Sequence, residues 1–410
     1  MKTLLPSVLC QCLKPVSLGL LLSVSQGCIS GGGGGSSSNA AEPSSAAVSA
    51  PAPASESTIP NEPAQEFTRP AETDALVTPP SVQPPPATLP GTLDLVGINV
   101  AGAEFTSSAL PGKHGTHYFF PPDGYFQKWY DRGIRTVRFP IKWERLQPTL
   151  NGALDPEYAG LIDKMLTQAA DHDMSVILDV HNYARYRGNL IGSKEVPNSA
   201  YENLMAQIAQ RFKSRTALYA YDIMNEPYGA DDLWPAAAQA GINGVRKYDR
   251  TRPIYIEGTS WSSAARWPRY ADKLLALNDP VDNLVFSAHI YIDPDASGSY
   301  NEGPAANFDL MTGVKRAEPF VKWLKDNRKR GQIGEFGIPG NDHRWLKAMD
   351  NLLSYLQQNC IPLTYWAAGP SWGTYKLSIE PAKDGTDKPQ WATLAKYVGK
   401  GDCVDYGPTP

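Results

Sequence analysis

The sequence predicts an α/β fold, a (β/α)8 TIM barrel that begins near residue 91. From that residue onward, short β-branched and apolar runs alternate with longer helical stretches, a pattern typical of a parallel sheet. The chain has 410 residues, so a barrel of about 250 residues fits within it beside a separate N-terminal region. An open, doubly wound sheet is the alternative, but no glycine-rich phosphate loop follows the first predicted strand.

The predicted strands and helices alternate along residues 91–400. The strands are residues 93–99, 135–139, 175–179, 219–224, 254–257, 284–289, 332–335 and 363–366. The helices are residues 158–171, 201–211, 235–248, 314–327 and 345–358. In the first of these helices, Leu161, Ile162, Met165, Leu166 and Ala169 recur at helical spacing.

The first 27 residues have the features of a signal peptide of the lipoprotein type. Lys2 and Lys14 precede a short apolar run that is below the roughly 20 residues a membrane span needs. The run ends in Ser25-Gln26-Gly27-Cys28, which resembles a bacterial lipoprotein signal and predicts lipidation of Cys28. Ordinary signal-peptidase cleavage nearby is the alternative. We therefore expect an exported protein, either a cell-surface or outer-membrane lipoprotein or a secreted one.

Residues 28–90 are predicted to be a disordered linker. They include five consecutive glycines at 31–35 and the run Pro84-Pro85-Pro86. Such a stretch buries too little apolar surface to offset the entropy lost on ordering. Residues 91–400 then form a single catalytic domain, and residues 401–410 form a C-terminal tail.

Charge and cysteine usage restrict the partners. The net charge is −4 and no long basic run is present, so nucleic acid is not expected to bind. Cys10 and Cys12 would leave with the signal peptide and Cys28 would carry the lipid, so Cys360 and Cys403 remain. Export allows a disulfide between them, but the sequence does not give their separation. No His/Cys spacing indicates a metal site, and we expect no cofactor. We expect a monomer that meets a membrane only through Cys28.

Polar or aromatic residues end the predicted strands. They are Asn99, Arg138, His181-Asn182-Tyr183, Asn225-Glu226-Pro227, Glu257, His289 with Tyr291, Glu335 and Trp366. The carboxyl ends of all barrel strands meet on one face, where active sites form. One such residue would mean little, whereas a full set predicts that these side chains converge on a single pocket.

Two of these residues, Glu226 and Glu335, fit the chemistry of glycoside hydrolysis. Cleavage takes two carboxyl groups that flank the glycosidic bond, about 5–5.5 Å apart in a retaining enzyme. Strands four and seven lie on opposite sides of a barrel mouth, so the two glutamates can face each other. Taken alone, Asn225-Glu226-Pro227 is a common turn sequence and is weak evidence of catalysis. Gly334-Glu335-Phe336-Gly337 alone is weaker evidence still.

The other strand-end residues suit supporting roles. Arg138 can hold one carboxylate ionised, and His289 and Tyr291 can orient either carboxyl group by hydrogen bonds. Asn225 suits a hydrogen bond to a sugar 2-hydroxyl, and Trp366 can form a stacking floor. Each has a structural alternative, an ion pair or a core side chain, and the joint pattern is what favours the functional interpretation.

These strand ends resemble those of glycoside hydrolase family 5, of clan A. The resemblance spans about residues 93–400 and extends to an endo-β-1,4-glucanase subfamily through several longer motifs. These are Ala101-Gly102-Ala103-Glu104-Phe105, Trp143-Glu144-Arg145-Leu146-Gln147-Pro148, His181-Asn182-Tyr183-Ala184-Arg185-Tyr186, Tyr291-Ile292-Asp293 with Ser297-Gly298, and Tyr365-Trp366-Ala367-Ala368-Gly369-Pro370.

The resemblance implies a role for each matching residue. Glu226 would be the acid/base and Glu335 the nucleophile, supported by Arg138, His181, Asn225, His289 and Tyr291. The expected substrate-binding residues are Asn99, Trp143, Asn182, Tyr183, Trp261, Trp366 and Trp372. The implied activity is hydrolysis of internal β-1,4 bonds of a glucan with retention.

Two departures leave the preferred polymer open. Arg266 stands in the loop after strand five, where a smaller or neutral residue is expected, and Trp372 is shifted by Ser371. The same chemistry on xyloglucan, mannan or mixed-linkage glucan therefore remains an alternative, as does transglycosylation or processing of an exopolysaccharide. A non-catalytic carbohydrate-binding protein is disfavoured, because it would not need both Glu226 and Glu335.

Overall fold

The computed structural model describes residues 94–399 and 402–408. The predicted signal peptide (1–27), its lipidation site Cys28 and the predicted linker (28–90) lie outside these residues. Residues 401, 409 and 410 of the predicted tail also lie outside them. In the part of the chain that is described, no helix combines the length and apolarity needed to cross a bilayer.

Eight parallel strands close into a barrel, which confirms the predicted fold class. The strands are β1 (Val96–Val100), β2 (Thr136–Ile141), β3 (Ser175–Val180), β4 (Leu218–Asp222), β5 (Ile254–Glu257), β6 (Leu284–Ile290), β7 (Gly331–Phe336) and β8 (Leu363–Ala368). Each strand pairs with its neighbours in sequence, and β1 closes the barrel by pairing with β8. The predicted bounds lie within about three residues of these.

A helix follows each strand. The helices are α1 (Gln127–Asp131), α2 (Pro156–Ala170), α3 (Asn198–Phe212), α4 (Trp234–Arg246), α5 (Trp267–Ala271), α6 (Thr312–Asn327), α7 (His343–Gln358) and α8 (Pro389–Leu394). A single further turn of helix, Trp143–Leu146, lies between β2 and α2. The short helices α1, α5 and α8 were not predicted, because five or six residues show too little periodicity. The apolar faces of the helices pack on the barrel in one large buried cluster, and Ile177, Ala220, Tyr255 and Val285 of the strands form a second, smaller one.

Local sequence explains where the longer helices begin and how closely they pack. The Asp155 carboxylate accepts the backbone N–H of Tyr158, and Pro156 occupies the first turn of α2, where its missing N–H is harmless. Asp342 caps α7 in the same way by accepting the N–H of Arg344. In α4, a Cβ on Gly244 would lie 2.4 Å from the carbonyl oxygen of Glu202, so only glycine lets α3 and α4 approach this closely.

The strand register aligns the residues that end the strands. Asn99 of β1 pairs with Arg138 of β2, and Asp179 of β3 pairs with Asp222 of β4. On the other side, His289 of β6 pairs with Glu335 of β7, after an irregularity between Ala288 and His289. The register therefore places these side chains side by side at the carboxyl end of the barrel.

The C-terminal segment packs across the opposite end of the barrel. Cys403 forms a disulfide with Cys360, 43 positions earlier. The Tyr406 hydroxyl accepts a hydrogen bond from Tyr255 of β5 at 2.6 Å and donates one to Tyr219 of β4 at 3.0 Å. The carbonyl of Gly407 accepts the N–H of Gly331, the first residue of β7. Residues 402–408 are therefore part of the folded domain, whereas the sequence had suggested a separate tail.

Candidate active site

Glu226 and Glu335 face each other across the barrel mouth. Glu226 follows β4, and Glu335 is the fifth residue of β7. One carboxylate oxygen of each, together with a ring nitrogen of His289, lie within 4.8 Å of one another. This spacing fits the short separation of a retaining pair, because an inverting pair stands about 6.5–9.5 Å apart to admit water.

The two carboxyl groups differ in exposure. The Glu335 side chain is 5% exposed and the Glu226 side chain is 16% exposed. Glu226 adopts a left-handed conformation with φ of 46°, and its backbone N–H donates to Glu257 Oε2 at 2.6 Å. That bond holds the strained residue in place.

Arg138 lies at the centre of the site and is fully buried. Its guanidinium contacts six oxygen acceptors at 2.8–3.1 Å, on Asn99, Asp179, Asp222, Asn225, Glu257 and Glu335. Burial alone would lower the pKa of Arg138, but the four surrounding carboxylates raise that pKa well above its usual value. A permanent cation therefore donates to Glu335 Oε1 and suits a nucleophile that attacks as a carboxylate.

His289 links the two glutamates. Its Nδ1 lies 2.8 Å from Glu226 Oε1 and 3.6 Å from Glu335 Oε2, and its Nε2 lies 3.0 Å from Glu257 Oε1. Burial alone would lower the pKa of His289, but the charges of Glu257 and Glu335 and the close contacts with Glu226 and Glu257 raise it well above its usual value. His289 is therefore an imidazolium whose Nδ1 donates to Glu226, while its Nε2 lies at ion-pair distance from Glu257 without hydrogen-bond geometry.

Tyr291 completes the environment of Glu335. Its hydroxyl donates to Glu335 Oε2 at 2.7 Å, so both carboxylate oxygens of Glu335 accept a hydrogen bond. Burial and the charge of Glu335 raise the pKa of Tyr291 well above its usual value, so it remains a donor. Glu335 is thus fixed by two donors, whereas Glu226 is contacted by His289 on one side and left open on the other.

His181 differs from His289 in its charge state. Burial lowers the pKa of His181 well below its usual value, which makes the ring neutral. Its Nδ1 lies 2.8 Å from Asp179 Oδ2, and its Nε2 lies 3.3 Å from the Tyr183 hydroxyl. The ring stacks on Trp366 at 5.6 Å, so His181 supports the aromatic wall and contacts neither glutamate.

Aromatic rings form a continuous line across the mouth. Each ring centroid lies within 6.2 Å of the next, in the order Phe105, Trp372, Trp366, His181, Tyr183, Tyr228 and Trp261. At the outer end, Trp261 is 46% exposed and lies parallel to Tyr228. Four of the seven residues predicted to bind substrate, Tyr183, Trp261, Trp366 and Trp372, therefore lie along one track.

The other three residues predicted to bind substrate, Asn99, Trp143 and Asn182, are buried and bond to other protein groups, so their contact with a sugar stays a prediction. Trp143 is 0% exposed and donates from Nε1 to Gln147. Asn182 accepts the N–H of Trp143 and donates to Glu144. Asn99 is 0% exposed and donates to the Gly334 carbonyl while it accepts from Arg138. The hydrogen bonds of all three tie together the segments that form the site.

The Asn225 side-chain amide uses its oxygen in a hydrogen bond, whereas its nitrogen has no partner among the described residues. Its Oδ1 accepts from Arg138 at 2.8 Å, which orients the group. Its buried Nδ2 has no hydrogen-bond partner within residues 94–399 and 402–408. A buried amide donor without a partner is uncommon, and a hydroxyl of a bound sugar would satisfy it.

Sequence reasoning assigned no role to three buried carboxylates that build the site. Glu257 accepts from Arg138 and from the backbone of Glu226, and it lies 3.0 Å from His289 Nε2. Burial raises the pKa of Asp179 well above its usual value and that of Asp222 to about 7, against the opposing charge of Arg138. Glu257 was visible as a strand end, but nothing in the sequence distinguished a carboxylate that supports other groups from one that reacts.

Comparison with known proteins agrees with this geometry. The sequence profile of the cellulase family, glycosyl hydrolase family 5, matches residues 98–371. A curated relative from Neosartorya fischeri, a probable endo-beta-1,4-glucanase B, is 34% identical over 78% of this chain and 93% of its own length. The chain is also similar to two solved structures. The endoglucanase Cel5A of Pseudomonas stutzeri in complex with cellobiose has a TM-score of 0.75 and 46% identity, over 78% of this chain and 98% of that one. XacCel5A in complex with cellopentaose has a TM-score of 0.70 and 38% identity, over 75% of this chain and 99% of that one.

The profile match includes both facing glutamates and the seven strands after β1, and it ends one residue before Trp372. The curated relative matches more than three quarters of the chain. On these grounds, the chain belongs to the cellulase family, glycosyl hydrolase family 5.

Proposed function

We propose that the protein is a retaining endo-β-1,4-glucanase. The observation that carries the proposal is the pair of facing carboxyl groups, within 4.8 Å of each other and held by different partners. Two carboxyl groups with unequal environments are what a double displacement needs, since one attacks while the other transfers a proton.

In the first step, Glu335 attacks the anomeric carbon and the glycosidic C–O bond breaks. Arg138 and Tyr291 orient its two oxygens by hydrogen bonds of 3.0 and 2.7 Å. Glu226 donates a proton to the departing oxygen, and the product is a glycosyl ester on Glu335. The ester converts one difficult displacement into two easier ones.

In the second step, Glu226 takes a proton from a water that attacks the same carbon and releases Glu335. The larger exposure of Glu226 lets that water approach. The free Nδ2 of Asn225 is placed to donate to a sugar hydroxyl beside the reacting carbon, a bond that strengthens in the oxocarbenium-like transition state.

The aromatic track supports a β-1,4-glucan as substrate and internal cleavage. Pyranose rings of such a chain present their C–H faces to flat side chains, and the track continues on both sides of His181. The relatives named endoglucanase and the structures described with cellobiose and cellopentaose favour the same class of substrate.

Product analysis tests this proposal. We expect reducing ends to appear on soluble cellulose much faster than on mannan, with a rapid fall in viscosity that marks internal cleavage. Proton NMR of the first products should show the β-anomer. An α-anomer would overturn the retaining mechanism, and faster turnover of xyloglucan, mannan or mixed-linkage glucan would reassign the polymer.

We also propose that the protein is exported and that Cys28 carries a lipid anchor. The support is the predicted signal sequence together with the Cys360–Cys403 disulfide, a bond typical of oxidising compartments. Cys28→Ala should move the protein from the membrane fraction to the soluble fraction. Unchanged partitioning would contradict lipidation.

A further inference from the structure

A cavity of about 400 Å³ opens beside Glu226, and Trp366 is not among the residues that line it. Its lining includes Glu226, His289, Tyr291, Trp261, Arg266 and Arg316. Because Glu226 is proposed to protonate the departing oxygen, the sugar that leaves would occupy this cavity. The cavity therefore lies where the leaving group binds.

The outer wall of the cavity is a strained turn that presents Trp261. Ser260, Trp261 and Ser262 have φ of 62°, 55° and 51°, three left-handed residues in succession, none of them glycine. Ser262 fixes the turn to β6, since its Oγ donates to the Ser287 carbonyl and its own carbonyl accepts the N–H of His289. Strain held this firmly places Trp261 and the following residues at the cavity edge.

Arg266 extends from the same loop and has no acidic partner. It is exposed, its guanidinium lies 5.9 Å from the Trp261 ring, and no ion pair of the described residues includes it. Arg316, from α6, lies in the same cavity and donates to the carbonyls of Asp293 and Pro294, again without a carboxylate within ion-pair distance in the described chain. Burial lowers the pKa of Arg316, as expected for a cation that no anion neutralises fully.

Two carboxyl groups share the cavity, those of Glu226 and Asp295. Oδ1 of Asp295 accepts the N–H and the hydroxyl of Ser297, and these bonds lower the pKa of Asp295. The cavity thus combines an aromatic platform with two guanidinium groups, one of them fully free to bind. Guanidinium groups bind carboxylates through paired N–H donors, whereas a neutral glucose offers no such acceptor.

We propose that this cavity is a leaving-group subsite for a β-1,4-linked sugar that carries a carboxylate, and that Arg266 is the residue that recognises it. The inference rests on the proposed glucanase function and adds a substrate class to it. Two sources share this chemistry, a uronic acid within the chain and a carboxylate substituent attached to a glucose hydroxyl.

Three soluble polymers separate the possibilities: hydroxyethyl cellulose, which is neutral, carboxymethyl cellulose, and cellulose oxidised at C6 to glucuronate. We expect Arg266→Gln to lower kcat/KM on at least one anionic polymer by roughly three- to fivefold, the size of one exposed ion pair. Turnover of hydroxyethyl cellulose should change by less than about twofold. A loss confined to one anionic polymer identifies the source of the carboxylate.

Arg269→Gln is the matched control. Arg269 is also exposed, lies on the next helical turn near Tyr270, and does not line the cavity. We expect this variant to leave all three rates unchanged, and we expect the Arg266 effect to shrink as salt rises from about 0.05 M to about 0.5 M.

Three outcomes would overturn the inference: an equal loss on all three polymers, no loss on any, or the same loss with Arg269→Gln. Wild-type inactivity on hydroxyethyl cellulose and on both anionic polymers would instead overturn the proposed function itself. The activity of the wild-type protein on hydroxyethyl cellulose therefore tests the proposed function. The ratio of the Arg266→Gln effect on the anionic polymers to its effect on the neutral polymer tests the subsite.

Discussion

The hydroxyl of Tyr291 donates to Oε2 of Glu335, while Arg138 donates to Oε1 of the same carboxylate. The carboxylate plane of the proposed nucleophile is therefore fixed from two directions. Fixing both oxygens sets the angle at which Glu335 meets the anomeric carbon, and orientation of this kind contributes strongly to catalysis.

Glu335→Ala should remove nearly all turnover, on the order of a thousandfold or more, because no other described residue takes its position opposite Glu226. The thermal midpoint should change little. Added azide should restore part of the activity and give a product of inverted configuration. Appreciable turnover without an added nucleophile would count against the assigned role.

Tyr291→Phe should lower kcat by about 10- to 100-fold, since a hydrogen bond to a charged group contributes roughly 1.5–3 kcal/mol. The KM should change less, because the hydroxyl contacts Glu335 and need not contact the sugar. Steady-state kinetics on a soluble glucan measures both constants. An unchanged kcat would show that Arg138 alone positions the nucleophile.

Gly298→Ala should produce a weaker form of the same defect. Gly298 has φ of +74°, and an added Cβ would lie 2.8 Å from Cδ1 of the Tyr291 ring. The ring must shift, which moves its hydroxyl away from Glu335. Gly303→Ala is the control, because a Cβ there meets nothing within 4 Å. Equal kcat values for the two variants would contradict a positioning role for the loop.

The raised pKa of His289 predicts that its contribution to the free energy of unfolding falls as the pH rises. Its pKa is raised well above 6.5 in the folded state, mainly by Glu257 and Glu335 against the effect of burial. The folded state therefore binds this proton more tightly than the unfolded state does. The contribution is complete below about pH 6.5 and declines as the pH rises through the folded-state pKa.

Urea unfolding of wild type and His289→Gln checks this sign. The difference in unfolding free energy should be larger at about pH 6 than at about pH 9. A difference that grows with pH would show that the folded state holds His289 neutral.

Replacing both Cys360 and Cys403 by serine should lower the free energy of unfolding by up to about 4 kcal/mol, as the chain-entropy account gives for a loop of this length. The glucan kinetics at 25 °C should be retained, because the bond lies at the end of the barrel opposite the glutamates. Calorimetry measures the stability change. A loss of kcat in the folded variant would indicate coupling between the two ends.

The strand ends were predictable because parallel strands place their last residues on one face, so the order of residues along the chain is enough to group Arg138, His289 and Glu335. The burial of the individual site residues was not predictable from the sequence. Trp143 and Asn182 belong to a motif that resembles the family's, and a motif shows which residues recur together without showing which of them a sugar can reach. Glu257 was missed for the same reason, since a buried acceptor and a reacting carboxyl group look alike in sequence.

The segment that ends at Gly407 has a practical consequence for attachment. It contacts Tyr219, Tyr255 and Gly331, which are the first or second residues of β4, β5 and β7. Glu226 comes after the last residue of β4, and Glu335 is the last but one residue of β7. A surface, a dye or a second enzyme coupled beyond residue 408 would begin from the end of the barrel opposite the glucan track. Immobilisation through that end would leave the cleft facing the solution.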